Sequence, residues 1–435
     1  MSATHPPRPP QVDPALLRGL TQSRHSRRDL LRLMGMGAGA VGAGGLLSAC
    51  GVSGQAPKAG SSPTTTKGVA DAAAAYWKDK KQTGQVNWAN WPLYIDTAGK
   101  GNHPSINQFQ KQTGIQVKYS EVIQDNPSFF ATVRPTLEAG QYTGYDTAVI
   151  SDGIVLTELM TLDYLVPLDQ SRLTNFKKNA GAKNRNPQYD PGNRYSIPWQ
   201  AGFTGLAYDP EKTGREITSF QDLLDPKFKG KIGMFGDAGE LANAAMFALG
   251  INAEKSTVDD WKKAADHLKK QKSSGVLRNY YDQSYVDALG RGEVWLTQAW
   301  SGDIFQKNLS DGTNFKFIIP SEGGTIWTDN MAIPVTAKNP VDALTLMDYF
   351  YQVPVSATLA EYINYVCPVP AAKAQILKDA AKLSGADKTA MEGIAKSPLV
   401  FPAAADYAKL HYYVSFDTPA EQQQYQKTFE PIVLG

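Results

Sequence analysis

From Gln85 onward, short apolar runs alternate with amphipathic ones, and this alternation is the main structural signal in the chain. The runs "QVNWANW", "IQVKYSEVI" and "YDTAVIS" read as strands. Between them, "HPSINQFQKQTG" reads as a helix closed by glycine, and "NPSFFATVRPTLEAG" as a helix broken near Pro135. "GIVLTELMTLDYL" is a third helix. "TSFQDLLDPKFKGKIGMF" predicts a short helix, a proline turn and a strand after Gly230. "TVDDWKKAADHLKKQKS" is amphipathic and places Lys263, Lys269 and Lys270 on a solvated face. "NPVDALTLMDYFYQ" and "TPAEQQQYQKTFEPIV" are further helices. Strands alternating with helices predict an α/β fold with parallel sheets. No internal repeat interrupts the pattern.

The N-terminal part follows different rules. Arg27 and Arg28 form a twin-arginine pair, and from Leu33 an uncharged, glycine-rich, weakly apolar run leads to Leu47-Ser48-Ala49-Cys50. A spanning helix needs about 20 strongly apolar residues. This run therefore reads as a cleavable twin-arginine export signal, residues 1–49. Its end resembles a bacterial lipobox, which implies that Cys50 carries the lipid. The alternative is a short membrane anchor with a chance cysteine. Residues 50–83 open on "GVSGQAPKAGSSPTTTKG", which has no apolar periodicity and reads as a flexible tether and lead-in.

Composition narrows the function. About 350 residues beyond residue 83 suffice for two domains. A net charge of +2, with no basic stripe, argues against a nucleic-acid partner. Besides Cys50 only Cys367 remains, so no internal disulfide is available, and Cys367 reads as a small packed residue. His103, His267 and His411 show no ligand spacing, which argues against a metal site and leaves no cofactor to expect.

Several polar positions call for a chemical reading. In "GTIWTDNMAIP", Trp327 and Asp329 lie two apart, on one face of an extended strand. A ring plane beside a carboxylate suits a cation attached to an apolar chain. No Arg or Lys lies between Phe317 and Ala337 to pair with that acid. Asp237 and Glu240 have the spacing of a capping box at a helix start. An acid–base pair of an exported hydrolase is the other reading, but two acids on one helical turn do not straddle a bond. Trp91 and Tyr94, taken alone, read as core aromatics. Ser151 and Asp152 read as ordinary loop capping after "YDTAVI", as does the turn Asp282-Gln283-Ser284.

In order, "NWANWPLYID", "IPWQAGFTGLAYD", "SFQDLLDPKFKGK", "GDAGEL", "QAWSGDIF", "EGGTIWTDNMAIP" and "YINYVCPVPAA" resemble the spermidine/putrescine-binding proteins of bacterial ABC importers. The resemblance covers roughly residues 85–435 and implies a type II, two-lobe periplasmic-binding-protein-like α/β fold without catalysis. Lobe 1 is expected over residues 84–200 and lobe 2 over residues 201–329. Residues 330–435 should return to lobe 1, with C-terminal helices touching both. The implied ligand residues are Trp91, Tyr94, Asp237, Glu240, Trp300, Trp327, Asp329 and Tyr365, with Ser151 and Asp152 at the cleft edge. Leu93 stands where relatives often carry an acid. The resemblance further implies delivery of spermidine or putrescine to an ABC permease; together with the lipobox, it leads us to expect a monomer anchored by lipid at Cys50 to the outer face of the cell membrane, or periplasmic. A receptor for another organic cation and an adhesive surface lipoprotein remain alternatives.

Overall fold

The computed structural model describes residues 66–434 apart from 100, 124, 125, 415 and 417; Arg27, Arg28 and Cys50 lie outside the described residues. Ten strands join in one mixed sheet: β1 (Gln85–Asn90), β2 (Gln116–Glu121), β3 (Thr147–Ser151), β4 (Ser196–Tyr208), β5 (Ile232–Phe235), β6 (Leu277–Tyr281), β7 (Leu296–Trp300), β8 (Lys316–Ile318), β9 (Gly324–Ala332) and β10 (Leu410–His411). The order is β2-β1-β3-β9-β4-β7-β5-β6, with β10 on β9 and β8 on β4.

The two ends of the sheet are parallel, as the alternating pattern predicts: β1 lies parallel to β2 and β3, and β5 to β6 and β7. The centre is not. β9 runs antiparallel to both β3 and β4, and β4 antiparallel to β7. β4 and β9 carry the chain between two α/β units in opposite directions, so they must oppose each other. All 13 residues of β4 are buried.

Each end of the sheet has its own core. One gathers Trp88, Phe109, Trp199, Phe350, Ile363 and Ile394, so it joins the segment before β4 to helices after β9. Trp88 and Trp199 meet edge to face at 5.1 Å, and Trp199 meets Phe350 at 4.7 Å. Such pairs add about 0.5–1.5 kcal/mol beyond burial. The other core gathers Leu206, Phe220, Trp261, Leu296 and the terminal-helix residues Tyr425, Phe429 and Ile432. The helix Pro419–Leu434 thus packs on the second unit, with Tyr425 perpendicular to Trp261 at 5.1 Å.

Local expectations hold where the signal is a cap or a turn. The helix Pro104–Thr113 ends at Gly114 with φ 75°, a conformation that suits glycine. The helix Val258–Ser274 starts in a Thr257/Asp260 capping box and exposes Lys263, Lys269 and Lys270. The predicted break at Pro135 is absent: the helix Asn126–Glu138 runs through it. Pro135 sits on the exposed side, while Phe130, Val133 and Leu137 bury the opposite face and hold the helix together. The lead-in is also more ordered than its composition suggests. The helix Thr66–Trp77 ends in a Trp77 that is 6% exposed and donates from Nε1 to the Pro167 carbonyl at 2.7 Å. One large aromatic burial is worth roughly 2–3 kcal/mol, enough to fix a short helix to the first core.

Candidate functional site at the junction of the two cores

The site is built where β3, β9, β4 and β7 lie side by side. Register sets its layout: Asp329 pairs with Ser151 on β3 and with Gln200 on β4, Trp327 with Gly202, and Trp300 with Thr204. Period-two alternation puts Trp327 and Asp329 on one face, as expected. Asp329 is 5% exposed. Its Oδ2 accepts from the Tyr94 hydroxyl at 2.6 Å and its Oδ1 from Ser151 Oγ. Ser151 is therefore more than a loop cap. Tyr94 reaches the carboxylate from a sharp turn after β1 in which Leu93 takes φ 60°, a costly conformation for a branched residue.

Rings surround the acid. Tyr94 meets Tyr365 edge-on at 6.0 Å, and Tyr365 meets Trp327 at 5.4 Å. A Cβ on Gly202 would lie 2.3 Å from Cζ2 of Trp327, so only glycine lets the indole lie flat across β4. The Trp327 Nε1 is buried and has no hydrogen-bond acceptor among the described residues. Trp300, half-buried, stacks on Phe235 at 4.7 Å. Trp91 is half-buried too, and its Nε1 donates to the Val149 carbonyl at 3.0 Å, which fixes its ring beside β3.

The Asp237–Glu240 pair separates into two roles. Asp237, exposed, caps the helix Ala238–Ala248 by accepting from the Glu240 backbone N–H at 3.0 Å. The reciprocal half of the capping box does not form. Glu240, 3% exposed, instead turns inward. Its Oε1 accepts from Thr204 Oγ1 at 2.8 Å, Trp300 Nε1 at 3.1 Å and the Tyr413 hydroxyl at 2.8 Å, while the buried Oε2 has no donor. Burial raises its pKa to about 7; Asp237 adds to the rise and the three donors oppose it.

Asp152 is buried, and its Oδ1 accepts from the Thr328 backbone N–H at 2.8 Å. It does not cap its own loop, as the sequence suggests, but clamps β9. Burial holds its carboxyl well above the usual range, reinforced by Asp329 and Glu240.

Three contributors carry no signal in the sequence. Asp303 is one: 6% exposed, it accepts from Tyr365 and Tyr285 hydroxyls at 3.0 Å each and from Gln283 Nε2 at 3.1 Å. In sequence it is one more acid in the first turn of the helix Ser301–Asp311, where acids are common. Tyr413 and Gly202 are the others; the first comes from 84 residues beyond Asp329, the second is one glycine among 38. Gln283 joins the site through Asp303, while its neighbour Asp282 caps the Ser284 N–H as expected. Cys367 packs among apolar residues with its thiol pushed up to about 12 by burial, which makes it inert. Among the described residues, no group of three or more His, Cys, Asp or Glu could hold a metal.

Two α/β units joined by paired crossing strands, with buried acids and aromatic faces at the crossing, define a two-lobe solute-binding protein. Residues 105–389 match the family described as bacterial extracellular solute-binding protein, and the chain belongs to that family. Its members are binding proteins of transporters rather than enzymes, and act outside the cytoplasm. The spermidine/putrescine-binding periplasmic protein of Escherichia coli K12 is 31% identical over 289 residues, 65% of this chain and 77% of that protein. The substrate-binding protein of a spermidine/putrescine ABC transporter from Streptococcus pneumoniae has the same fold, with a TM-score of 0.66 at 24% identity, over 81% of this chain and 99% of that one. So does a lipoprotein of Treponema pallidum, with a TM-score of 0.65 at 18% identity, over 81% of this chain and 100% of that one.

Proposed function

We propose that this chain is the receptor of an ABC importer for a linear polyamine, which it holds between the two lobes and hands to a permease. The observation that carries the reading is Asp329. This nearly buried carboxylate, set by two neutral hydroxyl donors, lies on the same strand face as the Trp327 indole. A carboxylate already held by two hydroxyls can take a charge-assisted bond from an ammonium, and the ring face beside it suits that ammonium or its methylene chain. Glu240 and Asp303 are further acids at the same junction. Trp91, Trp300, Tyr94 and Tyr365 supply walls. Asp237 and Asp152 act on the ligand through the helix cap and the β9 clamp. The E. coli relative is named for spermidine and putrescine, which supports the ligand class.

Titration calorimetry with spermidine, putrescine, a sugar and a neutral amino acid tests this: micromolar or tighter binding confined to the amines is expected, and binding of the sugar or amino acid alone would refute it. A pH dependence should accompany binding. The Glu240 pKa is about 7 in the free protein, and an ammonium favours the charged carboxylate. Affinity is then fully expressed above pH 7 and falls as pH drops below it, by up to about tenfold per unit. At pH 6.5 calorimetry in buffers of different ionisation enthalpy should show proton release on binding.

We further propose export through the twin-arginine pair Arg27–Arg28 and anchoring through a lipid on Cys50, as a monomer. The order of charge pair, apolar run and Leu47-Ser48-Ala49-Cys50 supports this. Cys50→Ala should release the protein from the membrane fraction in detergent phase partitioning; continued partitioning with lipid would exclude the anchor.

A further inference from the structure

The segment after β10 crosses the junction at Tyr413, and its side chain makes an unusual set of contacts. The hydroxyl donates to Glu240 Oε1 at 2.8 Å. One edge of the ring lies over Gly239, where a Cβ would sit 3.5 Å from it, and the other over Gly153, at 3.8 Å. Gly239 belongs to the start of the helix Ala238–Ala248 in the second unit; Gly153 belongs to the loop between β3 and the helix Ile154–Thr161 in the first. Gly153 has φ 105° and ψ −146°, a region open essentially to glycine, so the loop presents bare backbone to the ring.

The segment itself is tied to the second unit. The Tyr412 backbone N–H donates to Glu254 Oε1 at 2.7 Å, His411 lies 3.7 Å from the same carboxylate, and Val414 is buried in the second core. The same segment also reaches the crossing and the first unit: β10 pairs with β9, and Tyr412 meets Tyr189 edge-on at 6.0 Å. Tyr413 thus lies where both units meet.

Its bond to Glu240 also has a chemical consequence. Thr204, Trp300 and Tyr413 all donate to Oε1, and Oε2 is left buried with no donor. Three bonds on one oxygen stop the carboxylate from rotating and keep the other oxygen for a cation. Thr204 and Trp300 sit on paired strands, whereas the Tyr413 bond comes from a segment outside those strands whose ring also touches the Gly153 loop of the first unit.

We propose that Tyr413 is a positioning residue for amine binding: it orients Glu240 and, by resting on the Gly153 loop, couples that orientation to closure of the two lobes. The proposal rests on the polyamine reading above. The groups facing Glu240 are Asp237 on its own helix, Asp152 beside β9, Thr204 on β4, Trp300 on β7, and Tyr413 and Tyr425 from the C-terminal region.

Calorimetry with spermidine, from pH 5.5 to 8.5, tests it on Tyr413→Phe, which keeps the ring and removes the donor. The dissociation constant at pH 7 should rise roughly tenfold or more, the usual effect of losing a bond to a charged acceptor. The midpoint of its pH dependence should move upward, since one donor that stabilises the carboxylate is gone. In a Glu240→Gln background, Tyr413→Phe should add little, because the group it positions is no longer charged. A melting temperature for each variant separates these effects from unfolding. Wild-type affinity and pH profile in Tyr413→Phe would overturn the proposal, and so would an undiminished effect of Tyr413→Phe in the Glu240→Gln background. Failure of the polyamine reading is distinguishable: Asp329→Asn would then bind spermidine as wild type does.

Discussion

Asp329→Asn is expected to weaken spermidine and putrescine binding by about 2–5 kcal/mol, the range for removing one partner of a buried charge pair. The side chain is 5% exposed and already holds the Tyr94 and Ser151 hydroxyls on separate oxygens. An amide in its place offers one oxygen and turns an N–H₂ toward a hydroxyl and toward the ammonium, so it both loses attraction and adds a donor clash. Trp327→Leu should cost less, roughly 1–2 kcal/mol, because it removes one ring face and keeps apolar cover for the methylenes. Calorimetry of both variants with the two amines checks the pair. If Asp329→Asn binds every amine as tightly as wild type, this site is not the amine site.

The second large effect concerns stability. Glu361 lies in the helix Val353–Ile363, 4% exposed, and neither carboxylate oxygen has a hydrogen-bond partner among the described residues. Burial, with Asp379 on the next helix adding repulsion, raises its pKa to about 8. The unfolded chain releases this proton near the ordinary glutamate value, about 4.3, while the folded protein keeps it up to about 8. Above the unfolded value the unfolded state binds fewer protons, so stability falls with rising pH and levels off only above 8. The expected loss between pH 5 and pH 8 is of the order of 2–4 kcal/mol. Glu361→Gln removes it. The variant should match wild type near pH 5 and unfold at a temperature higher by several degrees at pH 8. Denaturant melts across that range decide it; parallel pH profiles for the two proteins would show that Glu361 is hydrated or paired in solution.

Taken alone, the chain specified strands β1, β2, β3 and β5, its glycine- and cap-marked helix ends and the i, i+2 placement of Trp327 and Asp329 on β9, but not β4, β6, β7, β8 or β10. These are local properties: a side chain's face in a strand and a cap's hydrogen bond depend on residues a few positions apart. The resemblance of seven ordered segments extended that to the two-lobe fold. Tertiary structure decided the rest. Pro135 stayed inside its helix because Phe130, Val133 and Leu137 pack on the opposite face, a contribution that propensity does not contain. The sheet became antiparallel at its centre because two strands cross between units, which no single run of residues records. Asp237 and Glu240 have the spacing of a mutual cap, yet Thr204, Trp300 and Tyr413, 36, 60 and 173 positions from Glu240, compete for its carboxylate and win. Asp303, Gly202 and Glu361 were invisible for the same reason. An acid, a glycine and another acid are common residues, and only burial and the neighbours supplied by the fold distinguish these three from the rest.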